Sequence, residues 1–321
     1  MLKRALLVGS LVFASCFKGG GTTAVAPPPG NTVAPKAVDY TATVADPLGF
    51  LPVDAEVILG LDVDSVRKSA LWPQLAGRLS TAGGDRLRAF EATCGFDPMT
   101  TVHAITIGIK NLKQNTPDGV MVVHGLDRPQ LMGCMAKAQQ KGDQKVVIED
   151  GIVSIRGTET PPSTVAFAFV DASTVVAVIG PTASKAQLQA VLAAGVPLRT
   201  SPAFNELVKL TDLESSMWMI LNGSSSVFDQ AASALGSRPK AIVGSVNLAA
   251  GLTMNMRLRL EGAAQAQQLQ QMINGQIGMV RAMFDKLDIT TDAADLVVAL
   301  GMNEQQLNNI IQLVIGQLGG P

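Results

Sequence analysis

The sequence predicts an α+β protein built from two similar halves of order β-α-β-β-α-β-β-α, with antiparallel or mixed sheets and helices packed on them. Three observations carry this expectation. Short strands come in turn-closed pairs, most plainly around Asp150-Gly151; segments of helical apolar spacing alternate with them; and from Ser201 the same order of elements returns. With 321 residues, 47% of them hydrophobic and 16% charged, the chain can bury a sizeable core and is too apolar for disorder.

The first strand is Val57, Leu59 and Leu61 alternating with Ile58, Gly60 and Asp62. Asp64 then stands as N-cap of a helix whose face holds Val66, Leu71, Leu75 and Leu79, with an interruption expected at Pro73. A second helix over 86–94 ends at Gly95, and Asp97-Pro98 turns toward strands at 103–109 and 119–125. Asp127, with Pro129 and Gln130, forms a capping-box start for a helix burying Leu131, Met135 and Ala138. Asp150-Gly151 joins strands 146–148 and 152–155, a two-residue hairpin signal, and strands 164–170 and 174–179 form another hairpin. A helix capped at Thr182 and ended at Gly195 closes the first half.

In the second half Ser201-Pro202 opens a short helix, 217–221 is a strand, and Ser224 or Ser225 caps a helix through Val227, Phe228 and Leu235. Two strands follow, the second with Leu252, Met254, Met256, Leu258 and Leu260 on one side and Thr253, Asn255, Arg257 and Arg259 on the other. The spacing of Ala266, Leu269, Ile273, Ile277, Val280, Phe284 and Leu287 predicts one long helix. A hairpin at 292–295, strand 296–300 and a last helix capped by Asn303 with Gln306, ending at Gly319, complete the half. Both halves close alike, Val178-Ile179-Gly180 before Gln187-Leu188 and Ala299-Leu300-Gly301 before Gln306-Leu307.

The N-terminus reads as an address. Lys3 and Arg4 precede a short apolar run from Ala5 to Ala14, too short to span a bilayer as a helix and typical of a secretory leader. At Phe13-Ala14-Ser15-Cys16 the chain resembles bacterial lipoproteins, whose lipobox places small residues before a cysteine; Ala14, Ser15 and Cys16 match, and Phe13 stands where leucine is usual. The resemblance implies cleavage after Ser15, lipidation of Cys16 and a membrane as partner. Phe17, not aspartate, follows the cysteine, which by the same resemblance points to the outer membrane. The expected organisation is leader 1–15, lipidated Cys16 and a Gly/Pro linker over 16–46, a first half over 47–198 and a second over 199–321. Without apolar periodicity the linker is expected to behave as coil and polyproline II, reaching roughly 30 Å. Leu51-Pro52-Val53-Asp54-Ala55-Glu56-Val57 and Cys94-Gly95-Phe96-Asp97-Pro98 look like segments of bacterial envelope lipoproteins with repeated α+β halves, to which no activity is assigned.

Composition narrows the function. A net charge of -1 offers no basic footprint for nucleic acid. With 2 His, 1 Tyr and 3 Cys the chain is poor in catalytic and metal-ligating side chains, so the expectation is a non-enzymatic envelope protein serving interaction or assembly, with no cofactor and no metal. Once Cys16 is acylated, Cys94 and Cys134 remain as either a disulfide or two buried thiols. His103 and His124 sit at strand ends without companion ligands, Asp62 and Asp64 lack the rest of a calcium loop, and Ser224 to Ser226 lack a nucleophile elbow. Gly19 to Gly21 lack the lysine of a phosphate loop. Methionines gather in the second half, and Met217, Met219, Met254 and Met256 mark an alternative, a site for an apolar, lipid-like ligand between sheet and helix.

Overall fold

A computed structural model describes residues 40–113, 117–141, 145–157 and 164–310. The leader, Cys16, Gly19 to Gly21 and the expected end of the last helix at Gly319 lie outside them. The protein has helices and a large antiparallel sheet architecture, an α+β fold. The described residues divide into two compact units: those within 40–52, 77–105 and 117–198 form unit 1, and those within 53–76, 106–113 and 199–310 form unit 2. These are not the two contiguous stretches 47–198 and 199–321. The first strand, β1 (Val57–Asp62), pairs antiparallel with β8 (Met217–Asn222), with Leu59 opposite Met219, and so belongs to unit 2.

Unit 1 carries the strand order β3-β7-β6-β5-β4. Strands β3 (Asp118–His124) and β7 (Thr174–Ile179) are buried along almost their whole length, which is why they read as continuous apolar runs rather than alternations. Strands β4 (Lys145–Glu149) and β5 (Ile152–Arg156) close through Asp150 and Gly151 at φ 51° and 76°. Both positive values are those of a type I′ turn, whose twist matches the strands. β6 (Thr164–Phe169) lies between β5 and β7.

Short helix α1 (Thr41–Ala45) stands where linker was expected to continue to residue 46. Its ordering follows from what comes next: Leu48, Phe50 and Leu51 are fully buried, and Tyr40 meets Phe50 edge-on at 6.0 Å. The expected helix start at Asp64 is corrected too. Asp62 is the cap of α2 (Val63–Lys68), accepting from Ser65 N at 3.0 Å, while Asp64 pairs with Arg67 in the first turn. Pro73 does not break a helix but stands in the first turn of α3 (Trp72–Cys94), where a missing N–H costs nothing. Helix α3 therefore contains the expected 86–94 helix within one run of 23 residues, ended by Gly95 at φ 76°. α4 (Pro98–Thr101) is capped by Asp97. α5 (Arg128–Lys141) is capped by Asp127, which accepts from Gln130 N at 2.8 Å, and Leu131, Met135 and Ala138 are buried. α6 (Lys185–Ala193) is capped by Ser184 instead of Thr182, whose hydroxyl donates to Asp118 Oδ1 at 2.8 Å.

Unit 2 carries the order β11-β12-β10-β9-β8-β1-β2, where β2 is Ala104–Lys110, β9 Ala241–Asn247, β10 Leu252–Arg259, β11 Lys286–Asp292 and β12 Asp295–Met302. Helix α7 (Pro202–Lys209) is capped by Ser201 and packs on β8. α8 (Val227–Leu235) has Ser226, not Ser224 or Ser225, at its N-cap. The expected long helix is two short ones and a strand: α9 (Ala263–Gln276), α10 (Gly278–Arg281), then β11 with Leu287 inside it. Two glycines, Gly275 and Gly278, weaken the helix where it stops, and β11 gains a full ladder against β12. The last described helix, α11 (304–310), opens on a reciprocal capping box, Gln306 N to Asn303 Oδ1 at 3.0 Å and Asn303 N to Gln306 Oε1 at 3.1 Å.

Candidate functional site

The register of unit 2 lines apolar residues into two parallel rows on one sheet face. One row runs Leu59, Met219, Gly244, Met256, Val298, Ile289, and the next Leu61, Met217, Val246, Met254, Leu300, Leu287. Both follow from the two-residue period of a strand, since the residues that six neighbouring strands contribute to these rows, two apart in each, are apolar or glycine. Thus the four methionines singled out in the sequence come together. Gly244 lies between Met219 and Met256, and a Cβ there would touch both side chains at 3.6 and 3.8 Å.

Helices cover the two rows unevenly. α9 packs over Leu258, Val298 and Ile289, and a second cluster, formed by Val66, Leu71, Leu248, Met302 and Leu307, gathers Leu61, Val246 and Leu300. Met217 and Leu59 are left 38% exposed each. Met219, Met254 and Met256 are half-buried, so the four methionines line a sheet face that helices cover in part. A small apolar cavity of about 30 Å³ occurs in unit 1, lined by Phe90, Met121, Met135, Phe167 and their neighbours.

The opposite sheet face of unit 2 is held by charge. Asp295, 8% exposed, accepts from Arg259 Nε at 2.8 Å and Nη2 at 3.2 Å, and Arg257 Nη1 reaches Asp292 at 2.8 Å. The two-pronged bond to Asp295 stabilises the protonated guanidinium of Arg259 further, and clamps β10 to β12. Glu56, which the sequence does not mark, accepts from Leu112 N at 3.2 Å and from Ser226 N at 3.1 Å. One carboxylate so ties the loop after β2 to the start of α8.

In unit 1 a polar chain runs from His124 Nδ1 to Thr174 Oγ1 at 3.1 Å and on to Asp171 Oδ2 at 2.9 Å. Burial lowers the His124 pKa below its ordinary 6.5, outweighing the opposite pull of Asp171. Burial also acts to raise the Asp171 carboxyl, but bonds from Ser173 N and from the hydroxyl and N–H of Thr174, with the His124 charge, hold it below 3.8. The only trace of this chain in the sequence is an aspartate three residues before the first residue of a strand. Both shifts have the same sign for stability. The unfolded state takes up a proton on His124 first, so stability is expected to fall as pH drops below 6.5, and the Asp171 contribution is lost below 3.8. Thermal melts between pH 8 and pH 5 check this (about these limits, from the ordinary histidine range). In His124→Gln the slope over that interval should flatten; an unchanged slope would refute the assignment.

The other candidates have structural roles. Cys94 and Cys134 are joined by a disulfide, with Cα atoms 4.5 Å apart. Asp62 caps α2, Asp64 pairs with Arg67, and Ser225 Oγ accepts from Val227 N at 3.4 Å. His103 donates its backbone N–H to His124 O at 2.8 Å. Among the described residues no group of three His, Cys, Asp or Glu is placed to hold a metal ion, and no helix is long and apolar enough to cross a membrane. Compared with protein-family models, with curated proteins and with solved structures, the chain matches none.

Proposed function

We propose that the chain is a lipid-anchored protein of the bacterial cell envelope, on the outer membrane, that has no reaction of its own and serves protein interaction or assembly through unit 2. The observation that carries the interaction role is the partly covered methionine face, where exposed Leu59 and Met217 and half-buried Met219, Met254 and Met256 surround Gly244. Methionine is unbranched and polarizable and adapts to a partner's contour, so such a surface suits recognition of a protein's apolar side chains. Support for the anchor comes from the basic, apolar and small-residue sequence leading to Cys16.

The test has two arms. Radiolabelled palmitate should enter the wild-type chain and co-sediment with outer membranes, whereas Cys16→Ala should carry no label and stay soluble; label on both, or on neither, refutes the anchor. In cells, crosslinking through a photoreactive methionine analogue should give a reproducible protein adduct, at least about tenfold weaker in a Met217→Asp/Met254→Asp variant, the equivalent of losing about 1.4 kcal/mol of binding. A lipid adduct recovered by organic extraction from the wild type, and missing from that variant, would replace this reading with a carrier of apolar ligands.

We also infer that the two halves of the sequence are repeats of one topology. Strand order supports this: β3-β7-β6 in the first is matched by β10-β12-β11 in the second, and α5 and α9, both of 14 residues, follow β3 and β10. The pairing of β1 with β8 has the same symmetry. Asp62 N donates to Ser216 O at 2.9 Å and Asn222 N to Glu56 O at 3.1 Å, and exchanging Glu56 with Ser216 and Asp62 with Asn222 interchanges the two bonds.

A further inference from the structure

Among the described residues no further strand pairs with the two terminal strands of the sheet order, and their open edges are treated differently. On β11 the charged residues Lys286, Asp288 and Asp292 are exposed, and Gln270 Nε2 donates to Ile289 O at 2.8 Å, taking one of the edge's own acceptors. Charges and side-chain caps of this kind prevent another strand from adding. On β4 the middle of the strand is Val146-Val147-Ile148, and Val147 is 44% exposed. The type I′ turn closes on the Glu149–Ile152 pair, so the bonded pairs alternate from there: 145, 147 and 149 direct their backbone groups to β5, and 146 and 148 direct theirs to the open edge.

We propose that β4 is a docking strand for β4 of a second copy of this chain, paired antiparallel about a two-fold axis at Val147. The sequence Lys145-Val146-Val147-Ile148-Glu149 is self-complementary in that register. Val147 stands opposite Val147, Val146 opposite Ile148, and Lys145 opposite Glu149 at both ends. The N–H and C=O groups of 146 and 148 meet those of 148 and 146 across the axis, giving four hydrogen bonds. A parallel arrangement would set lysine beside lysine and glutamate beside glutamate, and an antiparallel shift by two residues would set either the lysines or the glutamates against valine and break the opposite-charge pairs. Charge therefore selects one register, as cross-strand pairs of opposite sign do. Glu149 is already oriented, its Oε2 held by Lys185 Nζ at 3.1 Å, and it is exposed enough to meet a second cation. Five residues bury less than the roughly 1,200 Å² of a stable interface, so the dimer is a weak one that grows with concentration.

The full chain in detergent tests this by sedimentation equilibrium. The mass should rise from that of one chain toward twice that value, with a Kd of about 100 µM; a single-chain mass up to about ten times that concentration overturns the proposal. Residue 147 lies at a non-hydrogen-bonded pair, where Cβ atoms approach closest, so Val147→Cys should form a reducible dimer on mild oxidation. Val227→Cys, at a site 48% exposed, is the control, and equal rates for the two overturn the register. Glu149→Lys should weaken the dimer about tenfold by setting lysine against Lys145, and Lys145→Glu with Glu149→Lys should restore it. No restoration overturns the charge pairing on which the proposal rests.

Discussion

Trp218→Ala is expected to remove about 3–5 kcal/mol of stability, the largest loss from any single side chain in unit 2. Trp218, the second residue of β8, is 5% exposed, with Gly60 of β1 on one side and Ser245 of β9 on the other. Its indole occupies the space that a side chain at residue 60 would need: a Cβ on Gly60 would meet Trp218 Cε2, Cζ2 and Nε1. Glycine at 60 and tryptophan at 218 are thus one solution to one packing problem. Gly60→Ala should itself cost about 1–3 kcal/mol, because the new methyl group forces the ring or the strand to move. In the double variant Gly60→Ala/Trp218→Leu the two losses should not add, since the smaller side chain makes room for the methyl group. Urea midpoints of the wild type, Gly60→Ala, Trp218→Leu and the double variant measure this coupling; strict additivity would show that the ring and the glycine do not share the space.

The second large effect lies in unit 1. Replacing both Cys94 and Cys134 by alanine is expected to cost about 4 kcal/mol in the chain-entropy treatment of a loop with sequence separation 40. Alanine is preferred to serine in the variant because both positions are buried and a hydroxyl there would need a partner. Trp72 and Trp218 both lie in unit 2, so tryptophan fluorescence follows that unit and far-ultraviolet circular dichroism follows both. Loss of the disulfide should move the circular dichroism transition by more than the fluorescence transition. Mass spectrometry of unreduced, alkylated peptides supplies the direct check. Alkylation of both thiols in the wild type would remove the bond and with it this expectation.

The methionine face and the Glu56 bridge differ in how far they could be read from residues alone. Met217, Met219, Met254 and Met256 alternate along two strands, so their common facing within each strand is a local property. That the two strands flank Gly244 and Val246 of β9, and that α9 leaves Met217 exposed, depends on strand order and on where a helix stops. Nothing near Glu56 in the sequence announces its partners Leu112 and Ser226, because both bonds span long separations. His124 and Asp171 likewise meet only because β3 and β7 are neighbours, with His124 opposite Thr174.

What the sequence determined by itself is what hydrogen bonds over three or four residues and backbone dihedrals decide. Asp127 and Ser201 as caps, the Asn303–Gln306 capping box, the type I′ turn at Asp150-Gly151, the end of α3 at Gly95 and the apolar runs of β3 and β7 are all of this kind. Tertiary structure decided everything in which local options were nearly equal. Leu287 fits the helical spacing of Phe284 as well as it fits a strand, and the ladder to β12 settles the matter by holding Lys286 to Asp292 in continuous register with Gly301 to Asp295. Pro73 is compatible with a break or a beginning, and the burial of Leu71 against Val66 and Leu248 makes it a beginning. β1 needs a partner, and it finds β8 because only that pairing seats Trp218 over Gly60 and continues both apolar rows across the sheet. Such choices rest on surface buried between residues far apart in the chain, a quantity that exists only once the whole fold is assembled.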